Sequence, residues 1–551
     1  MQRLITEHRL RRVCEPTPLW TLTTLDAGGL SAPEKVVVPG VWESHPALRN
    51  YRGRAVYEKK LTCAGTLRFV FGGVSFRARV TLDGAELCTH YGAYTAFDAV
   101  ARDVPYGEHT LRVEVDNRFG EDSALHVPND YYAYGGINRP VTVEQLGGAY
   151  VSMLSVTPRR RGRMWLAEVR ATVRSVSEED QTFDLECSAA GARTAWKRRA
   201  LPAGGEAVLT ATLPCPGAEP WSPAHPALQQ AEAVLWLDGE PADDLIDRFG
   251  FREVRCEGGR LLLNGEPVRL KGFNRHEEYG DFGCAVPVQA MAEDLALMRQ
   301  MGCNCVRTCH YPNDPRFLDL CDELGILVWE EAHARGLSVE RMHNPNFLPQ
   351  TLQCAREMVA QHGNHPSIFV WGCLNECADD CAEGADIFRR VLSELRALDG
   401  SRPVTAALVA GRESLVLGDC DIVSLNAYPG WYVDAAPDAY LAGLMEKVRA
   451  LGGAGKPVII SEIGAGAISG CHDPLSRAKW SEERQADLLR EQLTAVLSRE
   501  DCTGVFVWQL ADCRVDGSWF AGRPGTRNNK GVVDAYRRPK LAYETVKEIF
   551  R

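Results

Sequence analysis

The segment Ser367 to Glu376 reads SIFVWGCLNE, and its pattern decides the fold class. Its first residues are apolar and rich in β-branched and aromatic types, as in a strand that is buried on both faces. The run ends abruptly in Asn375 and Glu376. In a barrel of parallel strands, side chains at the carboxyl ends of the strands open onto one shared mouth. We therefore predict a buried strand that delivers an amide and a carboxylate to such a mouth.

A second segment of the same kind, Pro457 to Glu462 (PVIISE), also ends in glutamate. Helical patterns separate the strand candidates; one of them, Val288 to Met301, stops at Gly302, and another, Asp314 to Leu324, stops at Gly325. Strands that alternate with helices predict a (β/α)₈ TIM barrel over residues 253–551. The other six strand candidates begin at Val268, Asn304, Ile326, Pro403, Asp421 and Thr503.

The residues before the barrel have an all-β pattern. Residues 1–147 contain short alternating runs, such as Thr66 to Val74, and predict a β jelly roll. Residues 148–252 repeat the pattern over about seven strands, which predicts an immunoglobulin-like β-sandwich. The stretch His126 to Val141 (HVPNDYYAYGGINRPV) has no strand period, and we expect an ordered functional loop or a domain junction there.

Composition excludes several classes of function. The net charge of −11 argues against a nucleic-acid partner, which needs a concentrated basic face. The segment Met1 to Val13 has no apolar core, and no apolar run reaches the roughly 18 residues that cross a bilayer, so we expect no export signal, no membrane contact and a cytoplasmic protein. Cys373, Cys377 and Cys381 recur every four residues, but we interpret them as structural thiols, and we expect no metal and no other cofactor.

Polar and aromatic residues collect at the ends of the predicted strands. Two buried strands that each deliver a glutamate to one mouth form the paired carboxylates of glycoside hydrolysis. One such glutamate alone is more often a helix cap or half of an ion pair, but the pair with these neighbours favours a sugar site. The strand ends carry Asn274, Arg275, His276, Arg307, His310, Tyr311, Glu330, Glu331, Asn375, Glu376, Asn426, Tyr428, Glu462, Trp508 and Gln509.

Long segments of the chain resemble glycoside hydrolase family 2. They are DRFGFREV, LLLNGEPVRLKGFNRHE, VRTCHYPNDPRFLDLCDELGILVWEE, NHPSIFVWGCLNE and PVIISE, and within the family they are most similar to bacterial β-glucuronidases. The resemblance covers the whole chain and implies the order jelly roll, immunoglobulin-like sandwich, TIM barrel. It implies a retaining exo-β-D-glucuronidase with Glu376 as general acid/base and Glu462 as nucleophile. Repulsion from an ionised Glu462 would keep Glu376 protonated for the leaving group.

The resemblance also implies substrate-binding residues. Asn528 and Lys530, in TRNNKGVVDAYRRPK, match an Asn and a Lys that bind the sugar carboxylate in β-glucuronidases. A compact ammonium suits that carboxylate, and an amide adds a neutral donor. Asp130 resembles the aspartate that reaches the sugar from the first domain. The other implied contacts are His310, Asn375, Asn426, Tyr428, Tyr432 and Trp508.

Three positions depart from the family pattern. Cys377 and Ile463 follow the two glutamates where Pro and an aromatic residue are usual, and Ala427 stands where many relatives carry Arg. The residues Asn528 and Lys530 together are called the carboxylate clamp. Many relatives also place an Arg shortly before this clamp, and Arg523 and Arg527 are both candidates for that role.

The sequence leaves the substrate partly open. The expected partners are a small-molecule or oligosaccharide glucuronide and further copies of the chain in a homo-oligomer. A β-galacturonidase, a β-galactosidase and an inactive carbohydrate-binding scaffold are the alternatives, and the presence of both glutamates argues against the last. Only sixteen residues, Ala332 to Phe347, precede the next predicted helix after Glu331, which predicts an open aglycone side.

Overall fold

The computed structural model describes residues 8–551, so the part of the N-terminal prediction that concerns residues 1–7 lies outside the described residues. The first part of the chain is an antiparallel eight-stranded sheet in which two long strands pair along their lengths. Its apolar faces enclose one core. All-β structure was predicted here; the jelly-roll topology stays a prediction. The strands are Arg12–Cys14, Leu19–Thr24, Glu34–Val37, Arg54–Phe71, Arg77–Leu82, Ala85–Tyr91, Phe97–Asp116 and Val141–Leu146, with a separate small pair, Gly40–Val41 and Gly136–Ile137.

The second part of the chain is a sandwich of a three-stranded and a four-stranded antiparallel sheet. Alternate residues point inward, as along Gln181–Ala189, where Phe183, Leu185 and Cys187 are buried. Seven strands in two sheets agree with the predicted immunoglobulin-like architecture. The three-stranded sheet is Ala149–Arg161, Met164–Ser175 and Glu206–Cys215; the other is Gln181–Ala189, Ala192–Leu201, Gln229–Leu237 and Glu240–Phe249.

The third part is a closed barrel of eight parallel strands, in which the eighth strand pairs with the first. The prediction of a (β/α)₈ barrel is confirmed. Six of the eight strands are shorter than their predicted runs, mostly because polar residues at the run ends belong to the loops, and the fifth and seventh have the predicted length but begin one residue later. In order, the strands are Leu270–Asn274, Cys305–Thr308, Leu327–Glu331, Ile368–Asn375, Val404–Val409, Val423–Asn426, Val458–Ile463 and Gly504–Val507.

Helices surround the barrel. The helix Pro315–Leu324 shows why their ends fall where they do: the Asp314 side chain accepts from the Arg316 N–H at its start, and Gly325, at φ 71°, ends it in the left-handed region. The α-helices are Val288–Gln300, Pro315–Leu324, Val339–Met342, Phe347–His362, Ala382–Leu398, Pro437–Val448, Glu482–Leu497 and Leu541–Phe550. The one-turn helix Val339–Met342 was not predicted; it lies inside the loop that was expected to run to Phe347.

Apolar residues fill the lower part of the barrel and leave its other end polar. A cluster that includes Trp329 and Phe506 packs inside the strands. The hairpin Val254–Glu257 with Arg260–Leu263 and the buried Trp221 join this cluster from outside the barrel. The short strand Glu266–Pro267 pairs with the second strand of that hairpin. Because this interior is apolar, charged side chains are confined to the carboxyl ends of the strands, where the candidate site lies.

The fourth barrel strand, Ile368–Asn375, is buried at every residue, as its composition predicted. Glu376 follows it at φ 51°, in the left-handed region that non-glycine residues rarely adopt. A conformation of this kind costs on the order of 1–3 kcal/mol and is typical of functional positions.

The cysteines were predicted to be structural thiols. All nineteen cysteines lie within residues 8–551 and are free thiols. Burial raises the pKa of Cys377 to about 12, so that this residue next to Glu376 is a neutral thiol.

Across residues 8–551, none of the helices combines the length and the apolar character that crossing a membrane requires.

A buried ion-pair network joins the first barrel strand to the C-terminal segment. Asp294 is fully buried and accepts from Nε of both Arg275 and Arg537, each at 2.7 Å. Replacing it with alanine leaves two buried guanidiniums without this anion, so we expect Asp294→Ala to lower the free energy of unfolding by about 3–5 kcal/mol. Thermal unfolding is the measurement. The exposed pair Asp386 and Arg390 provides the control, because Asp386→Ala should change stability by less than about 1 kcal/mol. Equal shifts in the two variants would contradict the role given to Asp294.

Candidate active site

Two glutamates meet at the mouth of the barrel. Glu376 follows the fourth strand, and Glu462 lies near the end of the seventh. Asn426 links them: it pairs with Glu462 in the strand register, and its Nδ2 donates to Glu376 Oε1 at 3.0 Å. The Ser461 hydroxyl donates to Asn426 Oδ1 at 2.7 Å and so fixes the orientation of the amide. Asn426 therefore lies between the two glutamates, which are close enough for the charge of Glu376 to raise the pKa of Glu462.

Glu462 is held from two sides. Arg307 Nη1 donates to one carboxyl oxygen at 2.9 Å, and the Tyr428 hydroxyl donates to the other at 2.6 Å. Burial raises the pKa of Glu462 to about 7; the charge of Glu376 also raises it, whereas Arg307 and Tyr428 lower it. Neutral pH therefore lies close to the pKa of Glu462, and these two donors favour its ionised form.

Arg307 is fixed by a second carboxylate. Its Nε and Nη2 donate to the two oxygens of Glu331, both at 2.9 Å, in the fork geometry that suits arginine. Glu331 also contacts His310 Nδ1 at 2.8 Å. Burial lowers the pKa of His310 well below its usual value, so the ring is neutral. With the Nδ1 proton directed at Glu331, Nε2 of His310 is free to accept from a ligand.

Asn375 and Trp508 complete this wall of the site. Asn375 Oδ1 accepts from Arg307 at 2.8 Å and from Asn426 at 3.2 Å, which fixes the amide. Its Nδ2 is buried without a partner among the described residues and is available to a substrate hydroxyl. Trp508 stacks on His310 with ring centroids 5.1 Å apart and supplies an aromatic surface.

The predicted carboxylate clamp is a buried cationic corner. Lys530 is 2% exposed, and its Nζ donates to the Tyr432 hydroxyl at 2.6 Å. Burial alone would raise the pKa of the Tyr432 hydroxyl. The positive charges of Lys530 and Arg523 lower it by more, so the pKa of Tyr432 lies below its usual value. Within residues 8–551, no carboxylate lies within 4 Å of the Lys530 ammonium. The hydrogen-bond partner of this buried ammonium is thus a phenol, and its charge helps to lower the pKa of Asp130.

Asp130 brings the first domain into this corner. Arg523 Nε donates to Asp130 Oδ1 at 2.7 Å, and the second guanidinium nitrogen contacts the other oxygen. Asn528 Nδ2 donates to the same carboxylate at 3.1 Å, so this amide orients Asp130. Of the two predicted arginine candidates, Arg523 belongs to the corner. Arg527 does not, because its guanidinium lies 3.9 Å from Glu278.

The sequence did not single out Arg335 and Asn129. Arg335 lies in the loop after the third strand and forms a parallel bridge with Asn375, which places it beside Glu376. Its Nη2 lies 3.4 Å from Glu376 Oε2, and its Nη1 donates to Asn129 Oδ1 at 2.7 Å. Both residues lie in loops without periodicity. The places of Arg335 shortly after a strand end and of Asn129 inside the predicted functional loop were the only signals that could have indicated them. Arg307 and Glu331 were noted at strand ends without a role.

The site residues predicted from the sequence form one contact network. Glu376, Asn426, Asn375 and Glu462 join through Arg307 to His310 and Trp508; Tyr428 packs edge-on against Tyr432, which leads to Lys530, Asp130 and Asn528. Two groups among the described residues have ligand atoms within 4.8 Å of one another: Asp319, Asp322 and His365, and, at this site, His276, Cys309 and His310. Burial raises the pKa of Cys309 well above its usual range, and a thiol is a poor metal ligand.

Along the chain, two β domains precede a (β/α)₈ barrel that carries two glutamates at its mouth. This combination defines a class of enzyme, the glycoside hydrolases. A family model described as "Glycosyl hydrolases family 2, TIM barrel domain" matches residues 254–551. The chain belongs to glycoside hydrolase family 2, as its motifs predicted.

Relatives and solved structures cover nearly the whole chain. The β-glucuronidase of Paenibacillus borealis is 27% identical, over 90% of this chain and 87% of that protein. The crystal structure of a family 2 β-galacturonidase from Eisenbergiella tayi bound to galacturonate is 48% identical, with a TM-score of 0.96, over 99% of this chain and 98% of that one. A β-D-glucuronidase of Dictyoglomus thermophilum is 26% identical, with a TM-score of 0.85, over 99% and 98%.

Proposed function

We propose that the protein is a retaining exo-β-uronidase, which removes a terminal hexuronic acid from a glycoside or oligosaccharide. The observation that carries the proposal is the Lys530 ammonium, which is buried near Tyr428, the tyrosine that donates to Glu462, and has no carboxylate within 4 Å among the described residues. A uronic acid has a carboxylate at C6, where a neutral hexose has a hydroxymethyl group. Ion pairing with Lys530 would compensate both buried charges, which a neutral sugar cannot do.

The proposed mechanism uses the two glutamates in different roles. Glu462, favoured as an anion by Arg307 and Tyr428, attacks the anomeric carbon as the bond to the leaving oxygen breaks. Glu376 gives its proton to that oxygen, and a glycosyl ester forms on Glu462. Glu376 then removes a proton from water, which attacks the same carbon and restores the β configuration. In this mechanism the unpartnered Nδ2 of Asn375 would hold a sugar hydroxyl next to the reacting carbon, and Asn426 would orient Glu376.

The sugar itself has two candidates, which differ only in the orientation of the C4 hydroxyl. β-D-Glucuronide was predicted from the sequence, and the relatives from Paenibacillus borealis and Dictyoglomus thermophilum carry that activity in their names. β-D-Galacturonide is favoured by a whole-chain identity of 48% to a β-galacturonidase, compared with 27% and 26% for these two. Because this difference in sequence identity is wide, we propose galacturonide as the first candidate. We propose that the paired Asp130 and Arg523, which lie next to the clamp, meet C4, the carbon next to the one that bears the carboxylate.

A comparison of three substrates tests the proposal. Rates on p-nitrophenyl β-D-galacturonide, β-D-glucuronide and β-D-galactoside are measured with the same enzyme. We expect turnover of at least one uronide and a much lower kcat/KM on the galactoside. A higher kcat/KM on the galactoside would refute a uronidase, and a preference for the glucuronide would restore the order predicted from the sequence. Proton NMR of the first product shows the anomer, and an α product would refute retention.

Glu376→Ala should separate the two steps of the mechanism. Loss of the general acid should lower kcat/KM by about 10²–10⁴-fold on alkyl or sugar uronides but far less on aryl uronides with acidic phenols, which leave without protonation. Azide should partly restore turnover and give a β-glycosyl azide. Because the charge of Glu376 raises the pKa of Glu462, the acid limb of kcat/KM on an activated aryl uronide should move to lower pH. Equal losses on good and poor leaving groups, with an unmoved acid limb, would contradict this role.

A further inference from the structure

A group of two aspartates and a histidine lies at the opposite end of the barrel from the active site. Asp319 and Asp322 are on the helix Pro315–Leu324, and His365 is in the loop before the fourth barrel strand. One ligand atom from each of these three side chains lies within 4.8 Å of the other two. The eight residues of the fourth strand separate this group from Glu376, a distance of roughly 25 Å.

Two buried polar atoms at this group have no hydrogen-bond partner among the described residues. Asp319 is 5% exposed; its Oδ1 accepts at 2.8 Å from Arg248, which also pairs with Glu323, and its Oδ2 is unpartnered. Ser367 is fully buried, and its N–H donates to Asp322 Oδ1 at 3.0 Å, but its hydroxyl is unpartnered. Because buried polar atoms are nearly always partnered, these two atoms indicate a bound ion or water.

Three carboxylates surround the imidazole of His365, which favours a cation over water. Asp247, on the last strand of the β-sandwich, is the third of them. Burial alone would lower the pKa of His365, but the charges of Asp322, Asp319 and Asp247 raise it to about 9, so the ring holds a proton. Burial raises the pKa of Asp319 to about 7, so the cations beside this carboxylate do not compensate its charge fully.

The donor atoms match those that a first-row transition ion prefers. Carboxylate oxygens and an imidazole nitrogen bind Zn²⁺ at about 2.0–2.2 Å. His365 Nδ1 lies 2.6 Å from Asp322 Oδ2, with a proton between them. An ion in place of that proton would move the two atoms apart by roughly 0.7 Å. His365 lies on a loop with 12% of its side chain exposed, which gives the ring this freedom and the ion a route from solvent.

We propose that Asp319, Asp322 and His365 bind a divalent transition-metal ion such as Zn²⁺, in a structural site that joins the β-sandwich to the barrel. The ion displaces the proton of His365, since an imidazole ligand must be neutral. Asn364 Nδ2 donates to Asp247 Oδ2 at 2.6 Å, so the loop that carries His365 is already bound to the sandwich. The sequence predicted no metal, because His365 stands 43 residues from Asp322 in no recognisable ligand spacing.

Bound zinc and thermal stability test the proposal. The full-length enzyme is stripped with EDTA and dialysed against ZnCl₂, and its metal content is measured by inductively coupled plasma mass spectrometry. We expect one zinc ion per chain. The melting temperature should lie about 2 °C or more above that of the stripped protein, because an ion bound only by the folded state stabilises it. Absence of bound zinc would mean that water satisfies Asp319 and Ser367, and would overturn the site.

Two variants locate the ion. In Asp319→Asn the amide oxygen can still accept from Arg248, while the anionic ligand is lost. We expect zinc affinity to fall by about 100-fold or more and the zinc-induced rise in melting temperature to disappear. His365→Asn should do the same. Each rise is measured against the same variant without zinc, so a change in the stability of the zinc-free variant does not affect the comparison.

A surface histidine provides the matched control. His472 is exposed and lies 3.1 Å from the Glu483 carboxylate, so His472→Asn removes a histidine from a similar pair outside the group. This variant should keep both the zinc content and the rise in melting temperature. Zinc that stays bound in Asp319→Asn and His365→Asn would lie elsewhere, for example at His276, and would overturn the proposal.

Discussion

Glu462→Ala is expected to reduce kcat on aryl uronides by roughly 10⁴-fold or more while leaving the protein folded. The loss is large because no other group in the site is placed to attack the anomeric carbon. The fold should tolerate the change, since Arg307 keeps both of its bonds to Glu331 after Glu462 is removed. Repulsion between Glu462 and Glu376 also disappears, so the melting temperature should stay the same or rise.

Azide identifies the nucleophile in this variant. It fits the space left by the Glu462 carboxyl and attacks the β-glycoside from the opposite face, so the rescued product should be an α-glycosyl azide. The inversion distinguishes Glu462→Ala from Glu376→Ala, for which a β-azide is expected. Glu331→Ala is the comparison for a buried glutamate in the same network: it should destabilise the protein, because it removes two bonds to Arg307. A β-azide from Glu462→Ala would mean that another group is the nucleophile.

The fold was predictable because local and global signals agree. The fourth barrel strand is apolar at nearly every position and is buried at every position. The helix Pro315–Leu324 carries its own start and stop in Asp314 and Gly325. Signals of this kind depend on a residue and its near neighbours, so they can be read without knowledge of tertiary contacts. The short helix Val339–Met342 has no such pattern and was missed.

The site was predictable where it lies on strands and not where it lies on loops. Glu376, Asn426 and Glu462 follow from the rule that strand ends open onto the mouth. Arg335 and Asn129 meet across two domains, 206 residues apart in sequence, and no local pattern predicts such a contact. The choice between Arg523 and Arg527 was open for the same reason. It depends on which guanidinium reaches Asp130, nearly four hundred residues away.

The charge on Lys530 ties substrate choice to structure. Among the described residues its only hydrogen bond is to Tyr432, so the chain itself gives this ammonium no ion pair. Asp130 lies near but forms no ion pair with Lys530, because Arg523 donates to both of its oxygens and Asn528 donates to Oδ2. Selection for a uronic acid can therefore come from one cation that is costly to bury alone.

Lys530→Ala should consequently separate charged from neutral sugars. We expect kcat/KM on the preferred aryl uronide to fall by about 2 kcal/mol or more in free energy, about 30-fold or more, because the sugar carboxylate loses its partner in a buried site. The matching aryl hexoside, with a hydroxymethyl group at C6 and the same C4 configuration, should be cleaved at an equal or higher rate than by the wild type. Lys479→Ala, which removes an exposed lysine that packs on Trp431, should change neither rate. Equal losses on uronide and hexoside would show that Lys530 supports the structure of the corner, and the uronidase proposal would then lose its main support.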